Sequence, residues 1–468
     1  ILIYGINARA VSVADYMKSS KTYNVVGYIA KTTHAKGKTL HDKVVYPYSS
    51  AEDVNNLKER YNLQAILFPG TINGDSDRKE LVDFLSENHM MALIANDIED
   101  AAGNSTNIHV REINIEDLLE RPEINISYKE IKDRFANKVV MVTGAAGSIG
   151  SEICRQLASV GVKRLILFDN AETPMHNLRL ELEDKFPSLD FVPIIGDVRL
   201  VERLDFVFRK FSPQVVFHAA AYKHVPLMEE NPCEAVLVNV VGSRNVADKC
   251  VEYGVEKMVM ISTDKAVNPV NLYGGTKLVS DKLFIAANAY AGAGDLCFSI
   301  VRYGNVAGSR GSVIPFFKNI IDKGGKELPI TDYRMTRFWI SLTEGVKLVI
   351  KALEESKGGE TFISKIPSFK ITDLAQAMMP GCEMPEVGIR EGEKLHEIMV
   401  TVEDSMTTYE YDKHFIVYPQ MVFNDRQTII PGGKKVPEGF SYKVFYFTIF
   451  FFFLYTNCNV ICIHYFSS

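Results

Sequence analysis

A glycine-rich turn between an apolar run and a helix-compatible run constrains the fold of this 468-residue chain more than any other feature. Residues 139–143 (Val-Val-Met-Val-Thr) precede Gly-Ala-Ala-Gly-Ser-Ile-Gly at 144–150, and residues 151–157 can continue as a helix. A second apolar run, residues 164–168, ends at Asp169, about 20 residues beyond the last glycine. Such glycines allow a tight turn and bring the backbone close to a pyrophosphate at the helix N-terminus. The pattern predicts a dinucleotide-binding βαβ unit.

Two pairs of chemically active side chains follow the strand-like run at residues 258–261. Asp264 and Lys265 come just after its carboxyl end, where open parallel sheets place their ligands. Tyr273 and Lys277 lie four residues apart, so a helix carries them on one face. Because an ammonium group one helical turn from a phenol favours the phenolate, we expect a lowered pKa for Tyr273. The four residues are predicted to form one catalytic centre.

Asp264 and Lys265 distinguish between reaction types. Oxidation or epimerisation of an alcohol needs only the tyrosine–lysine pair and a neighbouring hydroxyl such as that of Thr263. Elimination of water beside a new ketone also needs a base for the acidified carbon-bound proton and an acid for the departing hydroxide. Lys265 suits the base if burial and a nearby cofactor charge lower its pKa from about 10.4 towards about 7–8. Asp264 suits the acid if burial raises its pKa.

Composition narrows the range of partners. The chain has 52 Lys and Arg against 58 Asp and Glu, and this net charge of -6 argues against nucleic acid as the main partner. Its seven cysteines are scattered without a Cys-x-x-Cys pair, so we expect free thiols in a reducing cytoplasm and no metal site. The apolar tail at residues 443–468 falls short of the roughly 20 consecutive apolar residues of a membrane span. Membrane attachment is expected only if an anchor precedes residue 1.

Alternating apolar and helix-compatible runs divide the rest of the chain into three parts. Residues 1–103 predict a Rossmann-like accessory domain that has only the first glycine of the fingerprint, Gly5. Residues 104–136 are charged and are interpreted as a linker. Residues 137–442 predict the catalytic domain, a doubly wound parallel sheet with a smaller substrate lobe from about residue 310. The lobe offers cations for phosphate at Arg334, Arg337, Arg390 and Lys394.

Five motifs of the catalytic domain occur together in one known protein family. Residues 262–277 read Ser-Thr-Asp-Lys-Ala-Val-Asn-Pro-Val-Asn-Leu-Tyr-Gly-Gly-Thr-Lys, and residues 218–226 read His-Ala-Ala-Ala-Tyr-Lys-His-Val-Pro. The others lie at residues 301–315, 335–338 and 392–397. Together they closely resemble the bacterial UDP-N-acetylglucosamine 4,6-dehydratases, which are extended short-chain dehydrogenase/reductases of polysaccharide and glycan biosynthesis. The resemblance covers roughly residues 134–442.

The resemblance implies a dehydratase that converts UDP-N-acetylglucosamine to a UDP-4-keto-6-deoxy sugar with a tightly bound, recycled NAD or NADP. It implies that Asp264 is the acid, Lys265 the base for C5 and Tyr273 the base for the C4 hydroxyl. Lys277 would contact the ribose. Substrate-binding roles are implied for Lys223, Asn305, Thr331 and Arg390. The cofactor-binding residues predicted from the turn and the resemblance together are Gly144, Gly147, Ser148, Ile149, Gly150, Asp169, Asp197, Val198, Ala219, Ala220, Tyr273 and Lys277. We expect a homo-oligomer in the cytoplasm or on the cytoplasmic face of the inner membrane.

The chain combines features of two branches of that family. Residues 1 to about 240 resemble its long members, and the chain from Asn271 onward resembles its short members, which invert C5. We therefore expect inversion. Asp169 favours NAD because its carboxylate accepts a ribose 2′-hydroxyl and repels a 2′-phosphate, although short members often use NADP. Two alternatives stay open: a UDP-sugar 4-epimerase on the same fold, in which Asp264 and Lys265 do no chemistry, and a nucleotide-binding protein without turnover.

Overall fold

The computed structural model describes two α/β units and part of the apolar tail. The described residues are 1–18, 23–31, 38–70, 78, 81–82, 84–85, 90–99, 105–112, 135–291, 296–307, 309, 311–420, 429–444, 449–452 and 462–465. Most of the segment interpreted as a linker lies outside these residues. Within the described ranges, no helix is both long and apolar enough to cross a lipid bilayer.

The N-terminal unit is a seven-stranded sheet with a doubly wound strand order. From one edge to the other its strands are Thr39–Leu40, Lys43–Pro47, Gly27–Ala30, Leu2–Tyr4, Ala65–Pro69, Met91–Glu99 and Ser105–Glu112. The five inner strands pair in parallel, and the two outermost strands are antiparallel to their neighbours. Two helices, Ala8–Met17 and Ala51–Tyr61, begin at side-chain caps on Asn7 and Ser50. The N-terminal unit therefore has the Rossmann-like fold that was predicted for the accessory domain.

The N-terminal sheet extends beyond the boundary set at residue 103. Ser105–Glu112, which was interpreted as part of a linker because of its charge, pairs antiparallel with Met91–Glu99. An edge strand tolerates charged side chains because only one of its sides is hydrogen-bonded to the sheet. Charge alone therefore does not separate a linker from an edge strand.

The catalytic unit is built on a ten-stranded sheet. In spatial order its strands are Phe191–Ile195, Arg164–Asp169, Val139–Thr143, Val215–His218, Lys257–Thr263, Cys297–Tyr303, Thr361–Ser364, His414–Val417, Thr408–Glu410 and Lys434–Lys435. The first seven pair in parallel, and the last three are antiparallel. This is the extended short-chain dehydrogenase/reductase variant of the Rossmann fold that was expected. The strand order reverses between Val139–Thr143 and Val215–His218, and ligands of doubly wound sheets bind at such a point.

Alternate residues of the central strands face opposite layers of helices. On Val139–Thr143, Val140 and Val142 pack into one core and Met141 into the other. Both faces are covered, which explains why these strands read as continuous apolar runs. The covering and connecting helices are Ser148–Val160, Glu172–Lys185, Val201–Phe211, Val225–Glu230, Pro232–Val236, the π-helix Leu237–Gly242, Ser243–Glu252, Leu272–Tyr290 and Leu342–Glu355.

A smaller lobe follows the sixth parallel strand. It contains the helices Val313–Asp322 and Ile371–Met378 and a three-stranded sheet of Asn305–Val306, Thr336–Ile340 and Ser368–Lys370. Its own core includes Phe317, Trp339 and Phe369. The lobe was expected to occupy the chain from about residue 310, but Leu342–Glu355 and Thr361–Ser364 return to the main domain. The lobe is therefore interrupted, because the seventh parallel strand needs a crossover helix.

Two short antiparallel pairs complete the described structure. Ile398–Val400 pairs with Tyr442–Lys443 beneath the catalytic sheet ends, and two short 3₁₀ helices lie at Asp264–Ala266 and Asp404–Thr407. In the apolar tail, Ile449–Phe452 pairs with Cys462–Tyr465. The described part of the tail is thus β-structure.

One buried histidine of the main sheet gives a testable dependence of stability on pH. His218 is 1% exposed, and its ring nitrogens lie 2.7 Å from Thr143 Oγ1 and 2.9 Å from Ser243 Oγ. Burial, with a smaller effect of the Lys277 charge, lowers its pKa to about 3. Below about pH 6.5 the unfolded chain binds a proton at this residue that the folded chain does not bind. Its contribution to stability is therefore complete above pH 6.5 and is lost as the pH falls towards 3.

We expect His218→Gln to reduce the loss of unfolding free energy between pH 7 and pH 5 by about 2 kcal/mol. Denaturant unfolding at the two pH values measures this difference, independently of any constant cost of the substitution. His176→Gln, at an exposed position of the helix Glu172–Lys185, is the matched control. Equal pH dependence in the wild type and His218→Gln would contradict the assignment of His218 as a neutral buried residue.

Candidate functional site

The glycine-rich turn forms a cradle at the point where the strand order reverses. Gly144 has φ +68°, and a Cβ there would lie 2.5 Å from the backbone nitrogen of Ala220. A Cβ on Gly150 would overlap the carbonyl oxygen of Gly144. The helix Ser148–Val160 starts at Gly147 without a side-chain cap, so its first N–H groups are directed at the cradle. These features fit the close approach of a diphosphate to the backbone.

A cavity of about 210 Å³ lies on one side of this turn. Its lining contains many of the residues predicted to bind a dinucleotide, namely Gly144, Gly147, Asp169, Asp197, Val198, Ala219 and Ala220. Asp169 is held by the backbone, since Ala146 N donates to Oδ2 and Ala171 N donates to Oδ1, both at 2.9 Å. Among the described residues that line this cavity there are two carboxylates and no lysine or arginine.

A larger cavity of about 470 Å³ continues from the other side of the turn. Its lining joins the remaining turn residues, Ser148, Ile149 and Gly150, to the predicted catalytic residues Lys265, Tyr273 and Lys277. Lys223 and Asn305 also line it. The structure thus brings together side chains that are up to about 160 positions apart in the sequence. Thr331 and Arg390, which were predicted to bind substrate, line neither cavity.

Tyr273 and Lys277 share one face of the helix Leu272–Tyr290, which begins at Asn271, whose Oδ1 accepts from Gly274 N. Both side chains are buried. Lys277 Nζ donates to the carbonyl oxygen of Ile261 at 2.9 Å, and burial lowers its pKa against the opposing effect of Asp281. The lysine is therefore anchored to the neighbouring strand.

The expected lowering of the Tyr273 pKa is not observed. Burial raises it to about 12, and this effect outweighs the charge of Lys265 and a hydrogen bond with Thr263, both of which lower it. Burial disfavours the charged phenolate, and the ammonium group of Lys277 is directed at Ile261. The spacing correctly placed both side chains on one face, but it did not reveal the buried backbone acceptor that Lys277 uses.

Asp264 and Lys265 form an ion pair at the end of the strand Lys257–Thr263. Asp264 is 0% exposed, and its Oδ1 accepts from Lys265 Nζ at 3.0 Å and from Thr263 Oγ1 at 2.9 Å. Lys265 Nζ also lies 3.4 Å from Asn305 Oδ1. The other carboxylate oxygen of Asp264 has no hydrogen-bond partner among the described atoms. Lys265 lines the larger cavity, whereas its fully buried partner Asp264 lines neither cavity.

The protein groups alone do not lower the pKa of Lys265, which was expected to fall only if a nearby cofactor charge acted together with burial. Burial lowers it, as expected, but the carboxylates of Asp264 and Glu397 together outweigh burial, and the net pKa is raised. Glu397 Oε1 lies 3.8 Å from Lys265 Nζ. Sequence reasoning noted the motif at residues 392–397 but gave Glu397 no role, because the 132 positions between the two residues conceal their contact.

Three of the four cations that were predicted to bind phosphate contact the protein instead. Arg334 Nη2 pairs with Asp332 Oδ2 at 2.7 Å. Arg337 is buried and donates to the carbonyl oxygens of Thr336 and Leu395. Lys394 Nζ donates to Val267 O at 2.6 Å. These cations organise the lobe around the catalytic turn, and Arg390 alone is exposed without a contact of this kind in the described structure.

Comparison with known proteins identifies the family of this chain. The family model described as polysaccharide biosynthesis protein matches residues 140–419. The UDP-N-acetylglucosamine 4,6-dehydratase (inverting) of Campylobacter jejuni is 48% identical over 316 residues, which cover 66% of this chain and 93% of that protein. The UDP-glucose 4-epimerase of Rickettsia rickettsii is 37% identical over 311 residues, covering 64% and 89%.

A solved structure gives the same result for the fold. The X-ray structure of Pen from Bacillus thuringiensis superposes with a TM-score of 0.61 at 33% identity, covering 66% of this chain and 93% of that one. The family match spans the glycine-rich turn, the Asp264–Lys265 pair and the Tyr273–Lys277 pair. The chain therefore belongs to the polysaccharide biosynthesis protein family, within the group of similar sequences that includes the inverting UDP-N-acetylglucosamine 4,6-dehydratases.

Proposed function

We propose that the protein is a nucleotide-sugar 4,6-dehydratase that acts on UDP-N-acetylglucosamine and inverts C5. The observation that carries the proposal is the Asp264–Lys265 ion pair, whose lysine lines the same cavity as Tyr273. An epimerase needs the tyrosine but has no use for an acid and a base beside it. The similarity to a C. jejuni protein named as the inverting dehydratase supports the same choice.

The residues at the glycine-rich turn fit a nicotinamide dinucleotide. Gly144 and Gly150 leave room only for backbone, and the open N-terminus of Ser148–Val160 suits a diphosphate. Asp169 and Asp197 would hold the adenosine half, and Lys277 would hold the nicotinamide ribose. The chemistry that the cofactor supplies when bound is reversible acceptance of a hydride.

The protein side chains would carry the proton transfers. Tyr273 must first be ionised; as the phenolate it takes the proton of the C4 hydroxyl while the C4 hydride is transferred and C4 becomes a ketone, and Thr263 orients the phenol. Lys265 then takes the C5 proton, which the ketone has acidified, and Asp264 gives a proton to the C6 hydroxyl, which leaves as water. Return of the hydride to C6 and of a proton to C5 completes the 4-keto-6-deoxy sugar. Lys223, Asn305, Thr331 and Arg390 are proposed to bind the UDP-sugar.

The ion pair contains the one proton that this scheme requires. The charged pair, a carboxylate and an ammonium, differs from the reactive pair, a carboxylic acid and a free amine, only in the position of one proton. Lys265 Nζ and Asp264 Oδ1 are 3.0 Å apart, which is a hydrogen-bond distance. A single transfer along this bond therefore prepares both the acid and the base without exchange with solvent.

Proton NMR of a reaction in D₂O tests the proposed function. The purified protein is incubated with UDP-N-acetylglucosamine and NAD, and the sugar signals are followed. A new C6 methyl signal with deuterium at C5 supports 4,6-dehydration, and the ring couplings report the configuration at C5. A galacto-configured product with an unchanged C6 would instead identify a 4-epimerase, the activity named for the R. rickettsii relative. Cofactor binding without any product would favour a binding protein.

The carboxylate of Asp169 leads us to propose NAD as the cofactor. Asp169 lies in a cavity whose described lining has no cation to balance a 2′-phosphate. We expect Asp169→Asn to lower the ratio of the NADP to the NAD dissociation constant by about tenfold, since it removes a charge while keeping the shape of the side chain. Equilibrium titration with each dinucleotide measures the ratio.

Glu172→Gln is the matched control for Asp169→Asn. Glu172 is exposed in the first turn of the helix that follows Asp169, and it lines neither cavity. We expect this variant to keep the wild-type ratio. If Asp169→Asn also keeps that ratio, or if the wild type prefers NADP, the choice of NAD is wrong.

A further inference from the structure

Glu397 lies close to the catalytic ion pair and lines neither cavity. It is 2% exposed, and its Oε1 is 3.8 Å from Lys265 Nζ. Its Oε2 is 3.6 Å from Lys394 Nζ and has no hydrogen-bond partner among the described atoms. A buried carboxylate with an unsatisfied oxygen is costly unless nearby positive charges stabilise it. The position of Glu397 therefore needs a reason beyond packing.

The segment that carries Glu397 is attached to the catalytic turn at two points. Lys394 Nζ donates to Val267 O at 2.6 Å, and Asn271 Nδ2 donates to Gly392 O at 2.7 Å. Val267 and Asn271 flank the turn between Lys265 and the helix that carries Tyr273. These bonds fix the distance between the two chain segments. The Glu397 carboxylate is thus held at a constant position relative to Lys265.

We propose that Glu397 is a positioning residue for Lys265, whose carboxylate stabilises the positive charge that Lys265 acquires when it accepts the C5 proton of the sugar. This inference rests on the proposed dehydration. In that step the C5–H bond breaks, its electron pair remains in the enolate of the C4 ketone, and the proton binds Lys265 Nζ. The negative charge of Glu397 favours the product side of this transfer.

Several charged or titratable groups shift the pKa of Lys265, and the substitution Glu397→Gln, tested below, removes the effect of one of them. Asp264 and Glu397 favour its ammonium form, as does the ionised form of Tyr273, whereas burial and Arg337 disfavour it. Lys394 acts on the other oxygen of Glu397. Loss of Glu397 therefore removes one of the two carboxylates that counteract the lowering of the Lys265 pKa by burial. Loss of Lys394 removes a second cation that interacts with the Glu397 carboxylate.

The test is the pH titration of Lys265 in the ligand-free protein. Lysines are acylated in competition with an added reference amine, and mass spectrometry quantifies the peptide that contains Lys265 at each pH. We expect Glu397→Gln to move the midpoint of Lys265 down by about one to three pH units, the usual effect of one opposite charge at this distance. Glu397→Asp, which keeps the charge, should remain nearer to the wild type.

Glu393→Gln is the matched control, because Glu393 lies in the same segment and forms no ion pair with Lys265 in the described structure. Its midpoint should equal that of the wild type. An unchanged midpoint in Glu397→Gln, with thermal unfolding showing that the variant is folded, overturns the inference.

The pH dependence of C5 deuterium incorporation distinguishes this inference from the proposed function. In Glu397→Gln the decline of the C5 exchange rate on the acid side of the pH profile should move to lower pH. The shift should equal that of the Lys265 midpoint, because the free amine of Lys265 persists to lower pH in this variant. A purely structural role would lower the rate without moving this decline, which contradicts the inference. If the wild type produces no dehydrated sugar, the proposed function fails, whereas the titration still decides whether Glu397 controls Lys265.

Discussion

Lys265→Met is expected to reduce 4,6-dehydration of UDP-N-acetylglucosamine by about 10²–10⁴-fold, the usual contribution of one positioned acid–base group. Methionine keeps the length and the apolar stem of the side chain but cannot accept the C5 proton. Tyr273 remains, so oxidation at C4 should still occur. Stopped-flow absorbance of the reduced nicotinamide reports this oxidation, and the C6 methyl signal in proton NMR reports dehydration.

The Lys265→Met experiment needs a control for stability. Removing Lys265 leaves the buried carboxylates of Asp264 and Glu397 without their shared cation, which costs about 3–5 kcal/mol in typical cases. Thermal unfolding and NAD binding must therefore show that the variant is folded. Lys282→Met changes an exposed lysine of the helix Leu272–Tyr290 that lines neither cavity, and it should keep full activity. Dehydration by Lys265→Met at the wild-type rate would exclude Lys265 as the C5 base.

Gly150→Ala is expected to prevent dinucleotide binding and to destabilise the catalytic domain by about 1–3 kcal/mol or more. Its Cβ would overlap the carbonyl oxygen of Gly144 and would lie 2.9 Å from the Cα atom of Ala145. Both are backbone atoms of the turn, so relief of the overlap must open the cradle itself. Equilibrium unfolding and cofactor titration measure the two effects.

Gly345→Ala is the matched control for Gly150→Ala. Gly345 also lies near the start of a buried helix, Leu342–Glu355, but the nearest atom to its Cβ would be Tyr303 Cζ at 3.7 Å, an ordinary van der Waals contact. Alanine favours a helix over glycine, so stability should be unchanged or about 0.5–1 kcal/mol higher. Equal cofactor affinity in Gly150→Ala and the wild type would contradict the role assigned to the turn.

Local sequence patterns were sufficient for the central strands and for the dinucleotide turn. The apolar runs at residues 139–143, 164–168 and 258–261, which predicted strands, all lie within strands of the main sheet. They are readable because both faces of a parallel sheet are buried, so every residue in the run must be apolar. The charged edge strand Ser105–Glu112 has no such requirement, and it was mistaken for a linker.

Burial and tertiary contacts explain why the pKa of Tyr273 is raised and why the protein groups alone do not lower that of Lys265. Lys277 is four residues from Tyr273, but its ammonium group donates to Ile261, which lies on another strand. Lys265 is next to Asp264, yet its pKa also depends on Glu397, which the C-terminal part of the chain brings close to it. Spacing along one helix predicts which side chains share a face. It does not predict which groups from other parts of the chain contact that face.

By itself, the amino-acid sequence predicted the Rossmann-like class of both units and the position of the glycine-rich turn, and the structure confirms both. It also predicted Asp264 as the acid, Lys265 and Tyr273 as the bases and Lys277 as the ribose contact, partly through resemblance to a known family, and these roles remain predictions. Only the tertiary structure decided the protonation of the site and the use of the lobe cations. Protonation depends on burial and on charges within a few ångströms, and one of those charges, that of Glu397, comes from a segment more than 100 residues away from Lys265.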